Sequence, residues 1–239
     1  STERVDGRFR SEGVAVADMD RDGKQDVVVG ELWYEAPDWT PHEIAPVIDN
    51  GDGAHGYSAN FACFVDDVNH DQWPDLIVIG FPGTPCYWYE NPQGADGHWK
   101  KHVIWHSACN ETVLYEDLFG SGQRVLVMGW EPAGRMNAGT MAWFSPADDP
   151  TEKWTMHPIS RRGRAGQPAP GTNRFSHGLG VGDINGDERA DVICTNGWWQ
   201  QPEEVSDKPW TFHAANLGPA CANMVTADVN GDGAVDIIS

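Results

Sequence analysis

Three observations predict an all-β chain folded as a β-propeller of four-stranded blades. An acidic nine-residue motif recurs along the 239 residues, short β-branched runs flank it, and an aromatic segment follows it at a set place. The motif reads Asp-x-Asp/Asn-x-Asp-x-x-x-Asp. Its intact copies are Asp18, Asp20, Asp22 and Asp26; Asp67, Asn69, Asp71 and Asp75; Asp183, Asn185, Asp187 and Asp191; and Asp228, Asn230, Asp232 and Asp236. A degenerate copy begins at Asp117, where Phe119 and Ser121 stand in place of acids and Arg124 is gained. Starts at 18, 67, 117, 183 and 228 give the spacing of a propeller or a related repeat array.

Each repeat reads as four elements. The first is a strand of small residues, as in Val14 to Ala17 and Gly178 to Gly182, suited to a crowded central axis. The acidic loop follows, then a second, apolar strand such as Leu76-Ile77-Val78-Ile79 or Ile237-Ile238. The third is aromatic: Leu32-Trp33-Tyr34-Glu35, Tyr87-Trp88-Tyr89-Glu90, Ala142-Trp143-Phe144-Ser145 and Trp198-Trp199-Gln200-Gln201. The fourth carries Trp-x-x-His, as Trp39/His42, Trp99/His102, Trp154/His157 and Trp210/His213. The expected blades are 11–47, 58–106, 110–160, 175–217 and a partial 221–239, all within one propeller domain, 1–239.

The loops carry the chemistry that hard Ca2+ requires. Carboxylate or amide oxygens at positions 1, 3, 5 and 9, with a backbone carbonyl at position 7, approach its six to eight oxygen ligands. An EF-hand would need a Glu at position 12 between two helices. Val29, Val78, Cys194 and Ser239 stand there instead, and the flanks are strands. We expect structural Ca2+ at about four sites, one per intact loop, and none at Asp117.

The formal charge of −20 argues against nucleic acid and anionic membranes as partners. No apolar run is long enough for a membrane span. Calcium at extracellular concentration favours a secreted, periplasmic or cell-surface protein. The chain begins Ser-Thr without Met, so a signal peptide or a companion domain is expected to precede it. The five cysteines form no CxxC pair; Cys63 and Cys194 fall in expected strands and read as buried thiols.

Val181-Gly182-Asp183-Ile184-Asn185-Gly186-Asp187 and Thr226-Ala227-Asp228-Val229-Asn230-Gly231-Asp232-Gly233 resemble the FG-GAP/VCBS repeat family of β-propellers, and the resemblance covers nearly the whole chain. It implies that the acidic loop joins the first two strands of a blade and binds Ca2+. It also implies about seven blades in a closed ring, so that four full blades and part of a fifth would be a fragment.

Candidate chemistry lies in the connections between blades, which should emerge opposite the acidic loops. His55, His106 and His177 fall there, with Tyr57, Asn60, Asn110, Glu111, Arg174 and Asn223. Converging polar groups of this kind suit a binding or catalytic site, or a further divalent metal at the pore face. The longest connection, 160 to 174, carries Arg161, Arg162, Arg164 and Arg174 among glycines and prolines, and reads as a mobile lid for a carboxylate, sulfate or enolate-like oxyanion. His42, His102, His157 and His213 recur in every blade and read as architectural.

Two functions compete. One is a Ca2+-stabilised extracellular module that recognises a ligand, glycan or protein. The other is a carbohydrate-active lyase. The Tyr87-Trp88-Tyr89-Glu90-Asn91-Pro92 segment, the Trp-x-x-His strand and Ser176-His177-Gly178 resemble, more loosely, the propeller domain of aldos-2-ulose dehydratase and related proteins. That resemblance implies dehydration of a keto-sugar, with His177 as base, His55, Glu111 and Asn110 assisting, and Arg174 holding the oxyanion.

Overall fold

A computed structural model describes residues 4–239 as 18 strands, with no helix among them. The first sheet holds β1 (Val14–Ala17), β2 (Asp26–Val29), β3 (Leu32–Glu35) and β4 (Thr40–Glu43). The second holds β5 (Ala62–Asp66), β6 (Asp75–Ile79), β7 (Cys86–Glu90) and β8 (Lys100–Trp105). The third holds β9 (Leu114–Glu116), β10 (Val125–Trp130), β11 (Thr140–Ser145) and β12 (Thr155–Pro158). Strands within each of these sheets pair antiparallel in chain order. Such a meander sends the loop after its first strand out of one end of the sheet, and the exit from its fourth strand out of the other.

The fourth sheet departs from the expected blade. Its strands β13 (Leu179–Gly182), β14 (Asp191–Cys194), β15 (Gly197–Gln200) and β16 (Thr211–Ala214) are joined by β17 (Asn223–Ala227) and β18 (Asp236–Ile238) in one six-stranded sheet. The join is a parallel pairing of β13 with β17, Leu179 beside Asn223 and Gly180 beside Met224. Small residues make it possible. A Cβ on Gly180 would lie 2.2 Å from the Met224 carbonyl oxygen, and one on Gly182 would lie 2.1 Å from Thr226 Oγ1.

The chain divides into two compact units, Ser1–His106 with Pro146–Lys153, and Ser107–Ser145 with Trp154–Ser239. The first unit centres on Val28, Trp33, Ile44, Cys63, Leu76, Val78 and Trp99, drawn from both its sheets. The second centres on Leu118, Val127, Met141, Ile159, Val192, Trp199 and Trp210. The apolar runs of β6 and β10 are buried along their whole length, as expected of strands covered on both faces. No helix is long and apolar enough to cross a membrane.

All five cysteines are free; Cys63, Cys86, Cys109 and Cys194 are buried, and Cys221 is half-buried. Burial pushes the Cys63 and Cys86 thiols up to about 12 and Cys194 to about 11. Thiolate is the reactive species. A thiol reagent at neutral pH should therefore label one cysteine quickly in the native protein and all five in denaturant. Two or more fast native thiols would contradict this packing.

Candidate functional site

Position 1 builds each acidic loop. Asp67 accepts the Asp71 amide at 2.9 Å on one oxygen and the Gln72 amide at 2.9 Å on the other. Asp183 does the same for Asp187 and Glu188, at 3.2 and 2.8 Å, and Asp228 for Asp232 and Gly233, at 3.2 and 2.9 Å. Asp18 takes the Gly23 amide at 2.9 Å, while its Oδ1 is buried without a hydrogen-bond partner. The turn forces position 6 into the left-handed region. Gly23 and Gly233 adopt it without a Cβ, at φ 91° and 86°, whereas Gln72 and Glu188 adopt it at φ 73° and 66°.

Position 9 has a role that sequence reasoning missed. Asp75 is fully buried, accepting the Val68 amide at 3.0 Å and the Asn91 amide at 2.8 Å. Asp26 binds the Met19 and Ala36 amides, and Asp191 those of Ile184 and Gln201. Asp236 accepts the Val229 amide at 3.0 Å. The carboxylate thus clamps its own loop and, in the three complete sheets that carry it, the exit of the third strand. Each oxygen keeps a second lone pair, so the clamp leaves room for metal ligation. Desolvation pushes Asp75 up to about 7 and also raises Asp191, with neighbouring loop acids adding to both.

The side chains of the next position continue the clamp. Asn91 Nδ2 donates to the Met19 and Pro74 carbonyls, each at 3.0 Å, tying the second sheet to the first acidic loop. In the other unit, Gln201 Nε2 donates to the Leu118 carbonyl at 2.9 Å and the Ala190 carbonyl at 2.8 Å. Both residues directly follow the third strand, after Tyr89-Glu90 and Trp199-Gln200, and that shared place after the aromatic run was the available signal.

The surplus acids are those at position 5 of each intact loop and, in the first loop, Asp20 at position 3; Asn69, Asn185 and Asn230 stand at position 3 elsewhere. In the first loop, ligand oxygens of Asp18, Asp20 and Asp22 all lie within 4.8 Å of one another. Burial and the charges of Asp22, Asp26 and Glu35 raise Asp20. Local groups partly offset this crowding: Lys24 pairs with Asp22, Arg189 Nη2 lies 2.6 Å from Asp187, and Gln93 Nε2 donates to Asp71 at 2.9 Å. The 117 loop supplies a control within the same chain. Asp117 accepts the Ser121 amide at 2.9 Å and the Gly122 amide at 2.7 Å, and closes the same turn without acids at the other positions. Its Arg124 lies over the Tyr115 ring at 4.7 Å.

The recurring histidines form a second repeated device. Each stacks on the tryptophan directly across from it on the third strand. Ring centroids are 4.2 Å apart for Trp33–His42, 4.4 Å for Trp88–His102, 3.8 Å for Trp143–His157 and 4.2 Å for Trp198–His213. The residue two places after the tryptophan, on the same strand face, holds the ring. His42 Nε2 meets Glu35 and His102 Nε2 meets Glu90, both at 2.8 Å, and His213 Nε2 meets Gln200 at 3.0 Å. Ser145 occupies that place in the third sheet, where His157 Nδ1 lies 3.8 Å from Asp207 instead.

The singular histidines have different surroundings. His55, in the first unit, is exposed, with Nδ1 3.2 Å from Asp52 of its own turn. His106, in the same unit, lies beside Trp105 at a centroid distance of 5.2 Å, and burial lowers its pKa. His177, in the second unit, meets Glu111: Nε2 lies 3.0 Å from Oε2. The Glu111 amide donates to the Ser176 carbonyl at 2.9 Å, and Asn110 bridges to Ser176, which fixes the pair's backbones side by side. Asn110 is consumed by structure, donating to the Gly171 carbonyl at 2.7 Å and accepting the Gly129 amide. Arg174 pairs with the buried Glu131.

The 160–174 connection is not the loose lid its composition suggests. Gly163 donates to Thr140 Oγ1 at 3.0 Å, Gly166 to the Asn137 carbonyl at 3.1 Å and Ala169 to the Gly139 carbonyl at 2.9 Å. Arg164 and Gln167 exchange two backbone hydrogen bonds, at 2.9 and 2.7 Å. The glycines serve close approach here: a Cβ on Gly163 would lie 2.0 Å from the Gly139 carbonyl oxygen. No protein-family model and no curated protein sequence matches this chain.

Proposed function

We propose that the chain is part of a Ca2+-stabilised β-propeller of the FG-GAP/VCBS type, acting outside the cytoplasm as a recognition module for a glycan or protein ligand. In this reading, the four-stranded sheets are blades, and β17 with β18 begins the next one. The observation that carries it is the contrast between the 117 loop and the others. One aspartate closes the turn at Asp117, so the acid at position 5 of the other loops, and Asp20 at position 3 of the first, exceed what folding the turn requires. Carboxylates held within 4.8 Å repel one another, and a hard divalent cation converts that repulsion into attraction. Asp18, Asp20, Asp22 and Asp26 would ligate the first ion. Equivalent sets are Asp67, Asn69, Asp71 and Asp75; Asp183, Asn185, Asp187 and Asp191; and Asp228, Asn230, Asp232 and Asp236.

The test is a count of bound Ca2+ by equilibrium dialysis, with wild-type protein beside Asp20→Ala/Asp22→Ala. The double variant should bind one ion fewer and keep the β-sheet circular dichroism of the wild type. An unchanged count would remove the first loop from the set of sites. It would also show that acid crowding in these loops is no guide to calcium.

The His177–Glu111 pair favours a second reading, a lyase acting on a keto-sugar. A carboxylate 3.0 Å from one ring nitrogen orients the imidazole. His177 would remove the proton on the carbon next to the carbonyl. The hydroxyl one carbon further leaves as water, and the product is a conjugated enone. His177→Ala should abolish the ultraviolet absorbance that the enone develops while leaving the unfolding midpoint within about 1 °C, since surface changes are nearly neutral. If the wild type develops none with keto-sugars, the lyase reading fails and the recognition reading stands.

A further inference from the structure

Positive charge is scarce in this protein, with 16 Lys and Arg against 36 Asp and Glu. Most cationic side chains in such a surface would find a carboxylate. Four arginines of the second unit do not. Among the described residues, Arg135, Arg161, Arg162 and Arg164 make no side-chain ion pair or hydrogen bond, in contrast to Arg174 on Glu131 and Arg189 on Asp187. Three of them converge. Arg135, from the β10–β11 connection, and Arg162 and Arg164, from the β12–β13 connection, line a cavity of about 410 Å³ whose other walls are proline, alanine and glycine. No carboxylate lines it.

A second cleft shares part of its lining. Arg162 and Gly163 also border a cleft of about 610 Å³, where Arg161 and Gln167 face walls that include Trp210, Phe212 and Pro168. The support beneath both is fixed. The clamping of Gly163, Gly166 and Ala169 onto residues 137–140 holds the two arginine-bearing segments against each other. The guanidinium groups are therefore presented by preset backbone, which lowers the ordering cost of binding.

We propose that these adjoining cavities bind an acidic saccharide, with its carboxylate or sulfate groups on Arg135, Arg162 and Arg164 and its sugar ring along the half-buried Pro168 and Phe212 of the cleft. Guanidinium forks match the two oxygens of a carboxylate or sulfate. Without an anion, like charges brought together repel, so the cluster costs stability that a ligand would recover. The rest of the protein repels polyanions at a net charge of −20, which confines their binding to this patch. The site lies apart from the His177–Glu111 pair in its residues and needs none of the calcium loops. It rests on the recognition reading in one respect, that the ligand is a glycan.

Calorimetric titration of the intact chain would use four probes of matched length: a uronic-acid oligosaccharide, a sulfated oligosaccharide, a neutral oligosaccharide and a glutamate oligopeptide. We expect binding of at least one acidic sugar, weakening as salt rises. Arg162→Ala/Arg164→Ala should reduce affinity on the order of tenfold per arginine. Because both side chains are exposed and the substitutions relieve like-charge repulsion, the unfolding midpoint should not fall. A preference for the uronate over the sulfate identifies a carboxylate source, and the reverse a sulfate ester; either supports the site. Equal binding of the neutral sugar, tighter binding of the glutamate peptide, or full affinity in the double variant would overturn it. If only the double variant retains wild-type affinity, the site assignment fails and glycan recognition stands. If no sugar binds at all, glycan recognition fails with it.

Discussion

Asp75→Ala is expected to destabilise the protein by about 2–6 kcal/mol. The substitution leaves two buried amides, Val68 and Asn91, without an acceptor, and each such orphan costs about 1–3 kcal/mol. Asp71→Ala, in the same loop, orphans no fully buried donor. It should cost less than about 1 kcal/mol in calcium-free protein. Urea unfolding of the two variants in chelator measures the difference, and equal losses would mean that position 9 is not a clamp. The pH dependence has a definite sign. The Asp75 pKa in the folded state, about 7, is above its ordinary value, so its favourable contribution is complete below about pH 4 and is lost as pH rises through 7. In calcium-free protein, the stability gap between wild type and Asp75→Asn should change over that window and be flat above it.

Trp88→Ala is the second large effect, expected at about 3–5 kcal/mol. Trp88 is fully buried, stacks on His102, and donates its indole N–H to the Pro150 carbonyl at 3.1 Å. That hydrogen bond attaches the 146–153 segment to the first unit, although 62 residues separate the partners. Trp88→Phe retains most of the volume and loses the donor, and should cost roughly half as much. Thermal unfolding reads both variants. A loss under 1 kcal/mol for Trp88→Ala would contradict the packing at the centre of the second sheet.

Local pattern made the strands legible. β6 and β10 are short apolar runs bounded by turn residues, and Trp33, Trp88, Trp143 and Trp198 mark the third strand of each sheet. The Trp–His pairing was visible only in part. The histidines recur in the sequence, but their polar partners Glu35, Glu90 and Gln200 differ in type, and the period of two along the strand was the signal that identifies them. At position 9, a metal ligand and a backbone clamp both call for a carboxylate, so residue type could not separate the two roles. The Arg174–Glu131 pair joins residues 43 apart, a distance that no motif spans. Glycine and proline in the 160–174 connection suggest mobility by composition, yet Gly163 is there because Gly139 leaves no room for a side chain. Arg135 joins the basic cavity from a different connection, and only the fold brings it to Arg162 and Arg164.

The central claim is that the surplus acids of the intact loops hold calcium. Calorimetric unfolding of chelator-treated protein, with and without added Ca2+ and alongside a metal analysis, tests it most directly. The account predicts about four Ca2+ per chain and a higher unfolding temperature with calcium; each site adds about 2.7 kcal/mol at a hundred times its dissociation constant. Identical unfolding in calcium and in chelator, with no ion retained, would contradict it.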